Sequence, residues 1–185
     1  MSEAAVIARP PGSHALHLVR RFLGALSPAA PSTTDTAWAE AHLTDAECTV
    51  FRTMVAHDRR HAIGVARRAF DALGADAPDD VVAAALLHDV GKVHSGLGPV
   101  GRALATIRIA IAGRARVRAG VVRGERARRR ALYADHAALG AADLRARGAR
   151  DRVAAWAAVH HEPARWIESG FDVDVTAALH AADDD

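Results

Sequence analysis

Apolar positions in this chain recur at the spacing of helices, with almost no strict alternation. Leu16, Val19, Phe22, Leu23 and Leu26 share one face of a short amphipathic stretch, His14 to Leu26. The next ten residues, SPAAPSTTDT (27–36), read as a linker from their Pro, Ser and Thr content. Thr44, followed three residues later by Glu47, forms a capping-box signature and predicts a helix running to about Ala56. In DRRHAIGVARRAFDALG, Ala62, Val65, Ala66, Ala69, Phe70 and Leu73 form one stripe, and Gly74 stops it. VVAAALLHD (81–89) is apolar on all sides. It could be written as a strand, but three consecutive alanines favour a buried helix, with Gly91 ending it. Residues 101–131 carry a helical pattern interrupted at Gly113, Gly120 and Gly124. Further helices are predicted from about Ala134 to Arg147, stopped by Gly148, over 150–161, and from Val173 to Asp183. The prediction is an all-α bundle.

Composition narrows this picture. Half of the 185 residues are apolar but only 4% are aromatic, so Ala, Val and Leu must fill the core. Residues 1–35 are expected to be an N-terminal segment with a short helix and a linker, and 36–185 one domain. No run of about 18 apolar residues offers a spanning helix, and the start MSEAAVIARPPGSH lacks the pattern of a secretory signal. The single cysteine, Cys48, forms no internal disulfide. A cytoplasmic protein is the expectation. Net charge is only +2, yet ten arginines and one acid, Glu125, lie between Arg102 and Arg130.

Polar residues interrupt the faces that should be apolar. His61, His88 with Asp89, His136, His160 with His161, and Asp183 stand on or beside them. In 150–161 the stripe Val153, Trp156, Ala157 includes His160. Burying such groups unpaired costs roughly several kcal/mol each. Any one of them alone reads as a core residue, a histidine being satisfied by a backbone carbonyl. Together, imidazoles and carboxylates suit Mn, Fe, Co, Ni or Zn, and the carboxylates also admit Mg. Adjacent helical residues diverge by about 100°, so His88 and Asp89 can serve one centre only at a helix end.

The order His61, then His88-Asp89, then Asp183 resembles the HD superfamily of metal-dependent phosphohydrolases, named for that adjacent pair. DRRHAIGVA resembles its first-histidine helix and LLHDVGK its HD-x-G-K motif. HAALG (136–140) and HHE (160–162) resemble the further histidine motifs of the binuclear branches, and LHAADD the segment of the last aspartate. The resemblance spans roughly residues 44–185. It implies an HD-domain helical bundle with a metal site between core helices. His61, His88, Asp89 and Asp183 would hold a first divalent ion; His136, His160 and His161 would hold a second, with His160 or His161 left open and Asp89 bridging. It also implies hydrolysis of a phosphomonoester or phosphodiester, such as a nucleotide, by metal-activated water. After HHE the chain reads PARWIESGFDVDV, without Gly-Tyr-Pro, so the cyclic di-GMP specificity of HD-GYP enzymes is not implied. His57, four residues before His61, is expected to face solvent.

Lys92 is the only lysine in a chain that otherwise writes every basic side chain as arginine. Four residues after His88, its compact ammonium is expected to act with Asp89 in catalysis, contacting a phosphate oxygen or the water network beside it. The arginine-rich segment reads first as solvated surface, then as a rim that recruits phosphate. Nucleic acid is disfavoured, since the aromatics of a single-strand platform are missing. GRALATIRIAIAGRARVR leaves contact with a membrane surface open. Two other readings stand beside hydrolysis: a regulatory module that binds metal and nucleotide but turns over little, and a di-iron oxygenase.

Overall fold

In the computed structural model, residues 30–184 are described, and every regular element among them is a helix. The amphipathic stretch expected at His14–Leu26 lies outside the described residues, as does Asp185.

Helix α1 (Thr33–Ala41) begins inside the stretch read as linker. Ser32 is its N-cap, accepting a hydrogen bond at its hydroxyl oxygen from the Asp35 amide, 3.0 Å away. Ser and Thr that look like linker are here the start of a helix. Helix α2 (Asp45–Phe51) carries the expected capping box between Thr44 and Glu47. It stops at Phe51, earlier than the expected Ala56, and Arg59 Nη1 donates to the Met54 carbonyl left over at the break, 2.6 Å. Helix α3 (Ala56–Leu73) buries Ala62, Ile63, Val65, Ala66 and Ala69 and ends at Gly74, φ +92°.

The centre of the bundle is α4 (Asp79–Leu87). Every residue from Val81 to Leu87 is buried, and α2, α3, α9 and α10 pack around it. The remaining elements are a 3-10 turn Val90–Ser95, α5 (Pro99–Ala112), α6 (Arg114–Arg118), a 3-10 turn Ala119–Val122, α7 (Glu125–Ala134), α8 (His136–Ala146), α9 (Asp151–Val159), a 3-10 turn Pro163–Ser169 and α10 (Val173–Asp184). The segment 101–131 thus breaks at Gly113 and Gly124, both at positive φ, while Gly120 falls inside a 3-10 turn.

Alanine dominates the helix contacts: Ala62, Ala66, Ala83, Ala84, Ala141, Ala154 and Ala157 have no exposure at all. Small contact residues let helix axes approach toward the short end of the usual ~8–10 Å range. Phe51, Met54, Leu86, Leu87, Leu144 and Leu179 fill what remains. Trp156 is buried, and Trp38 and Trp166 pack at the edge of the core, so none of the three tryptophans is spent on the cleft described below.

Candidate metal centre

The histidines sit where helices end. His88 is the C-cap of α4, and Asp89 leaves helical geometry at φ −105°, ψ 5°. That departure resolves the divergence of adjacent side chains and turns both toward one place. The helix ends at Leu87, so Gly91 is not its stop. A side chain on Gly91 would overlap the His136 carbonyl oxygen and the Gly140 amide of α8. Gly91 and Gly140 are small because the turn after His88-Asp89 lies directly on the first turns of α8, which sets His136 beside Asp89.

Three ring nitrogens make the same kind of bond to the backbone. His88 Nδ1 meets the Ala85 carbonyl at 2.8 Å, His136 Nδ1 the Tyr133 carbonyl at 2.7 Å, and His160 Nδ1 the Ala157 carbonyl at 2.9 Å. Each partner lies three residues back, in the last turn of α4, α7 or α9, where carbonyls have no helical partner. A carbonyl can only accept, so Nδ1 donates in all three, and Nε2 is the nitrogen turned inward, where it could serve as a ligand. The expectation that a lone core histidine bonds a carbonyl is met, and the same bond fixes the direction of its other nitrogen.

Inward, the side chains gather as two groups whose candidate ligand atoms lie within 4.8 Å of one another: His61, His88 and Asp183, and Asp89, His136, His160 and His161. His61 Nε2 is 3.1 Å from Asp183 Oδ1, and His88 Nε2 is 3.7 Å from the same oxygen. Asp89 stands between the groups, with Oδ2 3.2 Å from His88 Nε2 and Oδ1 3.1 Å from His136 Nε2 and 3.8 Å from His160 Nε2. His161 reaches in from the exposed rim, its Nε2 3.1 Å from His136 Nε2. All seven residues of the predicted ligand set are therefore brought together, and His160 and His161 both point at the same group.

The cluster is under-satisfied. His88 Nε2, Asp89 Oδ1 and His160 Nε2 are buried without a hydrogen-bond partner, a cost of about 1–3 kcal/mol each that native cores rarely carry. Electrostatics show what is missing. Burial works against a charged His88, yet Asp89 and Asp183 outweigh it and push the imidazole up to about 9. Burial alone would raise the Asp89 carboxyl, but Lys92 and His88 hold it well below the usual range. His160 is driven well down by burial and by its neighbour His161, and burial beside His136 takes His161 to about 3. Two ionised carboxylates beside His160 and His161, both held neutral, make a donor set for positive charge, and a cation there would take the place of the proton that the two acids hold on His88. Hard and borderline divalent cations fit that donor set.

Six of the seven, all but His88, line the floor of a cleft of about 880 Å³. Lys92 lies on one side, its ammonium on Asp89 Oδ2. Tyr133 and Arg114 also line it; Arg114 Nη1 donates to the Ala134 carbonyl, 2.8 Å, at the end of α7. Part of α5 makes a wall through Pro99, Ala103, Thr106 and Ile107. His57, expected to face solvent, is half-buried in this cleft, with Nε2 3.1 Å from Arg102 Nη1. Arg102 also ion-pairs with buried Asp58, so the first arginine of the rich segment is a tether holding α5 to α3 and not solvated surface. Arg108, Arg116 and Arg123 do face solvent. The sequence reading missed Asp58, Arg102, Arg114 and Tyr133. The dipeptide His57-Asp58 was a signal, since an acid flanked by helix stripe needs a cation, but nothing local points to Arg102.

No described helix is long and apolar enough to cross a membrane. Comparison with curated proteins and with solved structures found no match. The family model of the HD domain matches residues 59–173, which takes in His61, His88-Asp89, His136 and His160-His161 and stops before Asp183. Asp183 joins the set through its place at the end of α10, against His61 and His88. With the motif residues converging on one centre in an all-α bundle and more than half of the chain matched, the chain belongs to the HD domain family.

Proposed function

We propose that this protein is a metal-dependent phosphohydrolase acting on a phosphomonoester or phosphodiester, such as a nucleotide, with one or two divalent ions of the Mn, Fe, Co, Ni, Zn or Mg class. The observation that carries the reading is the convergence of buried Asp89 Oδ1 and His160 Nε2 at the floor of the cleft, with buried His88 Nε2 beside Asp89, all three without a hydrogen-bond partner among the described residues. His61, His88 and Asp183 would hold one ion; His136, His160 and His161 another, with Asp89 between them. Bound there, such ions activate water and offset the charge that builds on phosphoryl oxygens.

The chain's own groups do the rest. Lys92 holds Asp89 ionised and keeps an ammonium at the cleft wall, where a phosphate oxygen can share it. Arg114 presents a planar fork, suited to a second phosphate oxygen, from a half-buried position where its partner is a neutral carbonyl. The apolar stretch of α5 along the wall excludes water and gives the non-phosphate part of a substrate a surface to lie on.

The test is elemental analysis of untagged protein beside Asp89→Ala, followed by a screen of nucleotide and model phosphodiester substrates. One or two equivalents of a divalent metal, lost in the variant together with hydrolysis, are expected. Lys92→Arg is expected to keep its metal and lose turnover. Metal in the wild type without any phosphoester hydrolysis would overturn the enzyme reading in favour of a regulatory module. Oxygen-dependent chemistry only with Fe would overturn it in favour of an oxygenase.

A further inference from the structure

Helix α5 has two opposed faces. Arg102 and Ala105 are buried against the bundle. On the other side Val100, Leu104, Ile107 and Ile111, spaced by four, three and four residues, form one continuous aliphatic stripe. They are 57, 60, 55 and 78% exposed, against 0% for Ala105 on the inner face. Scattered exposed leucines need no explanation, but four in register along one helix do. Arg108 flanks the stripe, and exposed Arg116 and Arg123 follow on the next elements. From Pro99 to Ala134 the chain carries ten arginines and one acid, Glu125.

We propose that this face of α5 docks on an anionic lipid surface, with the stripe entering the headgroup boundary and the arginines pairing with lipid phosphates. Charge selects this occupant. A second copy would bring the same arginine-rich surface against itself. The amphipathic residues 14–26 of this chain carry Arg20 and Arg21 and no acid, so they too share its sign. An acidic protein would satisfy the charge, but the stripe holds no Trp, Tyr or Phe, the anchors typical of protein hot spots. Ile107 belongs both to the stripe and to the cleft wall, so docking sets the cleft mouth beside the headgroups. The proposal rests on the exposed face alone and stands apart from the metal reading.

Co-sedimentation of the full chain with phosphatidylcholine vesicles, with and without phosphatidylglycerol, tests it. Binding only to the anionic vesicles, weakened by added salt, is expected. In the double variant Leu104→Asp, Ile111→Asp binding should fall by about tenfold or more, and in Arg108→Gln by about fivefold. Both variants change exposed positions, so helicity and metal content should match the wild type. Equal binding to neutral vesicles, binding unchanged in the double variant, or no sedimentation at all would overturn the proposal. So would a dimer that the double variant dissociates while vesicles capture neither form.

Discussion

Two buried acids in this molecule meet opposite fates. Glu47 has no exposure, and both of its oxygens are fully employed. Oε1 accepts from the Arg150 amide at 3.0 Å and Arg150 Nε at 2.9 Å; Oε2 accepts from Arg150 Nη2 at 2.6 Å and the Thr44 amide at 2.9 Å. Asp89 is 3% exposed, yet its Oδ1 has no hydrogen-bond partner although three imidazoles crowd the same region. Desolvation costs are of the same kind at both sites. At Glu47 the chain offsets the cost with its own donors, and the pair ties α2 to the start of α9. At Asp89 the Lys92 ammonium serves Oδ2, while Oδ1 receives no donor from the described residues. A saturated buried charge belongs to the architecture; an unsaturated one, facing a cleft, is set up for something that arrives from outside.

Removing one partner from the saturated site should be the most damaging change. Glu47→Ala strands Arg150 and is expected to cost about 3–5 kcal/mol in urea unfolding, while metal content per folded chain stays that of the wild type. Loss of metal in this variant would erase the distinction between the two regions. Adding Mn or Zn should act only on the other region, stabilising the wild type by about 2.7 kcal/mol at a hundred times the dissociation constant, with no shift for Asp89→Asn. Equal thermal shifts would place the metal elsewhere.

Acid should act at both sites, since Asp89 and Asp183 are depressed by folding as well as Glu47. Burial raises the Glu47 carboxyl, but hydrogen bonds from Arg150 and the Thr44 amide outweigh it and hold it below its ordinary 4.5. A carboxyl depressed by folding contributes stability that is present above that ordinary value and lost as pH falls through the lower, folded one. Glu47→Gln should therefore flatten the acid limb of the stability profile, measured as urea midpoints from neutral pH downward. An unchanged limb would mean that other carboxylates set it. The smallest effect is expected at His160→Leu in metal-free protein: neutral, or a gain of up to about 1 kcal/mol, because an unpartnered buried nitrogen is removed along with one hydrogen bond. A large loss would show that His160 is structural.

What could be read from the sequence was whatever neighbours within a helical turn or two decide. The stripe of α3, the stop at Gly74, the Thr44–Glu47 box, the breaks at Gly113 and Gly124 and the intrusion of His88, His136 and His160 on apolar faces are all local patterns. Where local signals compete, reading failed. Ser32 and Thr33 look the same in a linker and at an N-cap, and the end of α2 at Phe51 depends on Arg59 taking up a free carbonyl from the following helix.

By itself, then, the sequence determined an all-α chain and the His and Asp side chains that interrupt its apolar faces, because amphipathic period and the cost of burying polar groups act over a few residues. The tertiary structure decided where those side chains meet. It divided the candidate ligands into two groups about Asp89, made Gly91 a point of helix contact and not a stop, buried Arg102 on Asp58 across 44 positions, and left one face of α5 uncovered by the other described residues. Those outcomes depend on which helix ends converge and which faces are covered, and such contacts join residues too far apart in the chain for any local pattern to specify.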